Sequence, residues 1–135
     1  MFYKGVKMKW SIGIITIMVM FLGFSGCNNT ANTKDEVSLV GKIFEYDYGT
    51  AGYRVEYKSD DVLHWKAIKG EETGRESDES YKMQKLGANV YFVSWVEADG
   101  LGANVVLNLK DKKVNAFLKI DREIIPLSGT VTIIK

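Results

Sequence analysis

The residue best placed for acid–base chemistry is Glu97, which follows the largely apolar run 90–96, VYFVSWV. On a β-strand, Trp95, Val93 and Tyr91 would share its face, because successive side chains point to opposite sides. If that face is enclosed, burial raises the pKa of Glu97 and makes it a proton donor near neutral pH. If the other face is enclosed, Glu97 is a solvated turn residue. Both faces are apolar, so both interpretations stay open, and the pattern alone favours the solvated turn.

Phenol side chains recur on one face of the first predicted strands. They are Tyr46, Tyr48, Tyr53, Tyr57, Tyr81 and, if Glu97 points inward, Tyr91. A buried phenol needs a hydrogen-bond partner, so this set indicates either a wet cavity or a hydrogen-bonded core network. We predict a site for a small apolar or aromatic ligand, formed by Tyr46, Tyr48, Tyr57, Trp65, Tyr81 and Trp95.

The elements that position these residues are predicted by a hydrophobic period of two. Segments 42–48 and 53–58 alternate apolar, mostly aromatic residues with charged residues, and the glycine-bounded turn 49–52 joins them as a hairpin. Six further segments follow with tight links, at 62–68, 79–86, 89–97, 102–110, 113–120 and 123–135.

Eight short strands without a convincing helix predict an all-β fold, either an antiparallel barrel or a sandwich. We favour an eight-stranded, lipocalin-like barrel, because closure removes exposed edges and leaves room for one small ligand. Met83 is expected to share the inward face of the fourth strand with Tyr81. Pro126 lies in the last strand, where it cannot donate a ladder hydrogen bond, so we predict a bulge or bend there.

Residues 1–26 have the composition of an export signal, with three lysines, no acid and an apolar run at 11–24. Ser25 and Gly26 precede Cys27, as in a bacterial lipobox, which predicts lipidation of Cys27. The alternative is a retained membrane anchor with a free thiol. We therefore divide the chain into a signal (1–26), a flexible tether (27–38) and a barrel domain (39–135), held on the extracytoplasmic face of the cell membrane.

Charge and cysteine content exclude several classes of function. Three of the 18 Lys and Arg residues and none of the 17 Asp and Glu residues lie in 1–26, which leaves 15 bases against 17 acids and a net charge of −2. Without a basic cluster, nucleic acid is not an expected partner. Cys27 is the only cysteine, so no intramolecular disulfide can form. The sole histidine, His64, has no companions at metal-ligand spacing, and we expect no metal site.

Three stretches carry a resemblance to a known family: 41–57 (GKIFEYDYGTAGYRVEY), 70–77 (GEETGRES) and above all 90–100 (VYFVSWVEADG). They resemble the MoaF-like group of small calycin-type barrels and the related bacterial phenolic acid decarboxylases. For an enzyme of the second kind, the resemblance implies that Tyr46, Tyr48 and Arg75 hold the substrate carboxylate. It also implies that Glu97 takes part in proton transfer, without a metal or organic cofactor.

The loop around Arg75 departs from the decarboxylase pattern. Glu76 follows Arg75 where those enzymes have an aromatic residue, and the acidic loop 69–79 could neutralise the guanidinium internally. We therefore favour a non-catalytic binding protein over a cofactor-free decarboxylase. A third interpretation is a structural or interaction lipoprotein that has a filled barrel and uses its outer surface. The sequence predicts no oligomeric state.

Overall fold

The computed structural model describes residues 35–135, so the predicted signal, Cys27 and most of the predicted tether lie outside the described residues. The strands are β1 (Ile43–Asp47), β2 (Gly52–Tyr57), β3 (Val62–Lys69), β4 (Glu76–Gly87), β5 (Val90–Val96), β6 (Gly102–Asn108), β7 (Lys113–Ile120) and β8 (Glu123–Ile133). Within the described part of the chain, no helix is long and apolar enough to cross a membrane.

The eight strands close into one antiparallel barrel. Each strand pairs with the next, and β1 also pairs with β8, from Phe44↔Ile133 to Asp47↔Thr130. Gly129 makes this closure possible, since a Cβ atom there would lie 2.1 Å from the carbonyl oxygen of Asp47. The predicted barrel is thus confirmed, and the alternative sandwich is wrong.

The two ends of the barrel differ in how they are filled. The closed end carries the turns 58–61, 88–89 and 109–112, and the open end carries the connections 48–51, 70–75, 97–101 and 121–122. Completely buried side chains fill the closed end, among them Phe44, Tyr57, Leu63 and Leu107. Large residues on alternate positions of several strands meet there, so this half of the barrel is a packed core.

The segment before β1 is held against the closed end. The backbone N–H of Val37 donates to Asn89 Oδ1 at 2.8 Å, and the hydroxyl of Tyr91 donates to the carbonyl of Val37 at 2.7 Å. Leu39 is 1% exposed and belongs to the core. Residues 35–38, the last part of the predicted tether, therefore contact the barrel.

One local prediction holds only in part, and another is wrong. Met83 faces the same way as Tyr81 but is 38% exposed, because β4 continues beyond Ser80, the last residue paired with β3. Pro126 pairs with Phe117 in an unbroken register and produces no bulge. The missing N–H disturbs no ladder there, since β1 pairs only with residues 130–133 of β8.

Candidate functional site

A small cavity enters the barrel from the open end. The cavity has a volume of about 40 Å³, enough for roughly three water molecules. Its polar and aromatic lining consists of Tyr46, Tyr48, Tyr53, Trp65, Trp95, Glu72 and Glu97. The apolar lining consists of Val55, Leu101, Ala103, Val105, Ala116, Leu118 and Leu127. The centre of the barrel is thus filled at one end and hollow at the other.

Strand β5 places Glu97 at this cavity. Tyr91, Val93 and Trp95 are buried, and Trp95 pairs with Tyr81 on β4 and with Ala103 on β6, both of which are buried as well. Glu97 follows on the same face and is half-buried. Its backbone belongs to the turn after β5, but its side chain lines the cavity, so the solvated interpretation favoured by the pattern alone is wrong.

The pKa of the Glu97 carboxyl group lies near neutral pH. Burial raises its pKa to about 7, and the negative charges of Asp99, Glu79 and Glu72 act in the same direction. Arg75 opposes them weakly. A carboxyl that is half protonated near pH 7 can donate or accept a proton, as acid–base chemistry requires.

Arg75 lies at the rim of the cavity, where acidic neighbours engage it. One guanidinium nitrogen, Nη1, contacts Glu72 Oε1, and the other, Nη2, lies 3.7 Å from Asp99 Oδ2. The guanidinium carbon is 5.9 Å from the ring centroid of Trp65. Glu72 also accepts a hydrogen bond from the hydroxyl of Tyr53 at 3.1 Å. The structure thus shows the internal neutralisation of Arg75 that the acidic loop suggested.

The six tyrosines within residues 35–135 divide between the two ends of the barrel. Tyr46 and Tyr48 line the cavity, whereas Tyr57 and Tyr81 do not, so the prediction that the second pair contacts the ligand finds no support in the cavity lining. Tyr57 is fully buried beside Tyr46, their hydroxyl oxygens are 2.8 Å apart, and burial raises the pKa of both. Tyr81 donates instead to the carbonyl of Ser59 at 2.7 Å.

The two indole rings of the cavity carry unpartnered donors. Trp65 and Trp95 are 5% and 8% exposed, and neither Nε1–H has a hydrogen-bond partner among residues 35–135. A buried donor without a partner is costly, so these two atoms stand out from the satisfied hydroxyls of the closed end.

Sequence reasoning missed two members of the site. The sequence indicates Tyr53 as an inward phenol but not as a ligand contact, and it indicates Glu72 only as part of an acidic loop. Their hydrogen bond joins β2 to the 70–75 loop. The three-residue spacing of Glu72 and Arg75 was a usable signal, whereas the contact with Tyr53 depends on the tertiary fold.

The described residues hold no group of three or more His, Cys, Asp or Glu residues with the geometry of a metal site. His64 lies on the outer wall, where its ring contacts Asp78 and Glu76.

Comparison with known proteins agrees with the geometry. The sequence model of the MoaF-like family matches residues 40–132, which is nearly the whole barrel. A curated relative, "Probable phenolic acid decarboxylase" of Vibrio cholerae serotype O1, is 31% identical over 94 residues. The match covers 67% of this chain and 53% of the relative, so the chain spans about half the length of that protein.

A solved structure has the same fold. It is a crystal structure described as a "putative beta-lactamase" from Burkholderia vietnamiensis, with a TM-score of 0.69 and 20% sequence identity. The likeness covers 73% of this chain and 98% of the other, and at this identity it shows the fold alone. The family match over most of the barrel is the decisive finding: the chain belongs to the MoaF-like family.

Proposed function

We propose that the barrel binds a small aromatic molecule in the cavity at its open end. The observation that carries the proposal is a hollow lined by five aromatic side chains, two of which, Trp65 and Trp95, bear buried indole N–H groups with no partner within residues 35–135. Ligand sites are concave and mostly apolar, with a few polar groups that fix orientation, and this cavity has that composition.

The aromatic rings lie in edge-to-face contact, which suits them to enclose a further ring. Tyr48 and Tyr53 have ring centroids 6.2 Å apart, as do Tyr53 and Trp65. Such contacts fix the orientation of the rings that line the hollow. Because the hollow is small, a ligand of more than a few heavy atoms must extend into the mouth or displace lining side chains.

Tryptophan fluorescence of the full chain tests the proposal, since Trp65 and Trp95 both face the cavity. Titration with a panel of small phenols and aryl compounds should give saturable quenching, which Trp95→Phe should diminish. Ala103→Leu should abolish it by filling the hollow, because Ala103 lines the cavity and lies opposite Trp95.

Ala88→Leu is the matched control, because Ala88 is exposed in a turn of the closed end. It should leave the quenching unchanged. A wild-type protein that shows no saturable quenching with any member of the panel would rule the proposal out.

A second candidate is a cofactor-free decarboxylation of para-hydroxycinnamates. Two observations support it: Tyr46, Tyr48 and Glu97 line one cavity with Arg75 at its rim, and the Vibrio cholerae relative is named for this activity. Glu97 would protonate the alkene carbon that bears the carboxylate, giving a quinone methide from the phenolate. Cleavage of the carbon–carboxylate bond then releases carbon dioxide, and its electron pair restores the vinylphenolate.

Incubation with para-coumarate or ferulate tests this second function. A decarboxylase releases the vinylphenol, and Glu97→Gln, which cannot donate the proton, abolishes the release. Absence of turnover by the wild-type protein would end this candidate. The ion pairs of Arg75 with Glu72 and Asp99 weigh against it, because they occupy the cation that would bind the carboxylate.

We also propose that Cys27 anchors the protein to the outer face of the cell membrane. The support is the small-residue junction before a lone cysteine and the lysine-rich start of the chain. Metabolic labelling with a radioactive fatty acid should mark the wild-type protein and not Cys27→Ser. Equal labelling of both would contradict the proposal.

A further inference from the structure

We propose that the ligand of this cavity carries a protonated amine rather than a carboxylate. The inference rests on the binding function proposed above and names the chemical class of its ligand. It runs against the expectation from the decarboxylase resemblance, in which the site would hold a carboxylate anion.

The first argument is the charge around the mouth. Glu72 and Glu97 line the cavity, and Glu79 lies on the same face of β4 as Tyr81, close enough for its charge to act on Glu97. Asp99 adds a fourth carboxylate and contacts Arg75. Arg75 is the single cation among the described groups whose charges act on Glu97, and Glu72 and Asp99 already pair with it. An incoming anion is therefore repelled, and an incoming cation completes the charge balance.

The second argument is the aromatic wall. Five aromatic rings line the cavity, those of Tyr46, Tyr48, Tyr53, Trp65 and Trp95. Trp65 already has a cation over it, since the guanidinium carbon of Arg75 lies 5.9 Å from the ring centroid. Indole is the best of the protein rings for attracting a cation, and aromatic walls backed by carboxylates suit alkylammonium groups.

The unpartnered indole N–H groups specify the rest of the ligand. Trp65 Nε1–H and Trp95 Nε1–H lack acceptors and are enclosed, so a ligand oxygen reaches them only when it displaces lining side chains. An ammonium group cannot serve as that acceptor, because it has only donors. A ligand that satisfies both demands has an ammonium group for the carboxylates and an acceptor oxygen elsewhere in the molecule. A small hydroxyaryl alkylamine meets both requirements and has a ring for the aromatic wall.

Three probes that share one ring and differ in charge test the inference. They are tyramine, the neutral 4-ethylphenol, and 3-(4-hydroxyphenyl)propionate, which has the same two-carbon linker as tyramine but ends in a carboxylate. Titration of the full chain by tryptophan fluorescence at pH 8 should rank their affinities in that order. We expect tyramine to bind at least about tenfold more tightly than the propionate, and we expect added salt to reduce the difference.

Two variants separate the charge of the mouth from the charge of the whole protein. Glu97→Gln should weaken the binding of tyramine and strengthen the binding of the propionate. Asp111→Asn, which also replaces a carboxylate by an amide but lies in a turn of the closed end, should alter neither affinity. Circular dichroism melting establishes that both variants are folded.

The outcomes distinguish this inference from the function on which it rests. Equal affinity for all three probes, or tighter binding of the propionate, overturns the charge preference and leaves the binding function standing. Saturable binding of 4-ethylphenol alone also overturns the preference. Absence of saturable binding for all three overturns both.

Discussion

The closed and open ends of the barrel are made from similar residues but satisfy them differently. At the closed end, the hydroxyls of Tyr81 and Tyr91 donate to the backbone carbonyls of Ser59 and Val37. At the open end, two buried indole N–H groups have no partner among the described residues, and Glu97 has a raised pKa. The difference separates aromatic residues that build a core from aromatic residues that are available to a ligand.

Tyr46 lies at the boundary between the two ends. It lines the cavity, but its hydroxyl is hydrogen-bonded to that of Tyr57 in the core below. The floor of the cavity is therefore fixed by the packed end. Its rim depends on the more exposed loops 70–75 and 97–101, which the contacts of Arg75 with Glu72 and Asp99 connect.

Truncation of a leucine should reveal the largest difference in stability between the two ends. Leu63 is completely buried at the closed end, so Leu63→Ala should lower the free energy of unfolding by about 2–5 kcal/mol. Leu101 is only partly buried beside the cavity, so Leu101→Ala should cost less than about 1.5 kcal/mol. Urea denaturation measures both, and equal losses would contradict the division of the barrel into a packed and a hollow end.

Loss of a phenol hydroxyl should have the next largest effect. Tyr91→Phe leaves the carbonyl of Val37 without its donor and should lower the free energy of unfolding by about 1.5 kcal/mol. Tyr53→Phe, at the open end, frees the carboxylate of Glu72 to be hydrated and should cost under about 0.5 kcal/mol. Thermal melts of the two variants under identical conditions test the ranking, which a larger loss in Tyr53→Phe would reverse.

Neutralising Glu97 should stabilise the protein above neutral pH. The folded protein holds this proton more tightly than the unfolded chain, with a pKa of about 7 against a usual value of 4.5. The free energy of unfolding therefore falls as pH rises from about 4.5 to about 7 and then levels. Because Glu97 is partly solvated, we expect Glu97→Gln to recover only about 1 kcal/mol at pH 8.

Denaturation of wild type and Glu97→Gln across pH 4–9 measures this difference. The two curves should coincide near pH 4, diverge between about pH 4.5 and about pH 7, and keep a constant separation above that. Parallel curves would show that burial does not perturb Glu97.

The smallest effect on stability is expected at the rim. Arg75 is exposed, so Arg75→Gln should change the free energy of unfolding by less than about 0.5 kcal/mol. The same change should raise the pKa of Glu97, since the guanidinium charge lowers it in the wild type. An NMR titration of the Glu97 carboxyl carbon measures this shift.

Arg54→Gln is the matched control for Arg75→Gln. Arg54 also forms an ion pair, with Glu45 at 3.3 Å, but neither residue lines the cavity. It should leave the titration of Glu97 unchanged. An unmoved Glu97 titration in Arg75→Gln would show that the guanidinium does not act on the site.

Much of the site could be predicted because most strands have one polar and one apolar face. The alternation around Tyr46 and Trp65 shows which residues point inward, whatever the partner strand is. The same alternation could not distinguish Tyr57 and Tyr81 from the cavity residues. Their depth along the barrel axis depends on strand length and on where the segment around Leu39 packs.

The sequence by itself determined the strands, their order and the inward aromatic residues of the first four strands, because these follow from local alternation and short turns. Only the tertiary structure decided which face of β5 turns inward, because both faces are apolar and the choice is made by pairing with Tyr81 and Ala103. The tertiary structure also decided which end is hollow. How fully the interior is packed depends on the combined volume of side chains from all eight strands, and no single segment of the sequence determines that volume.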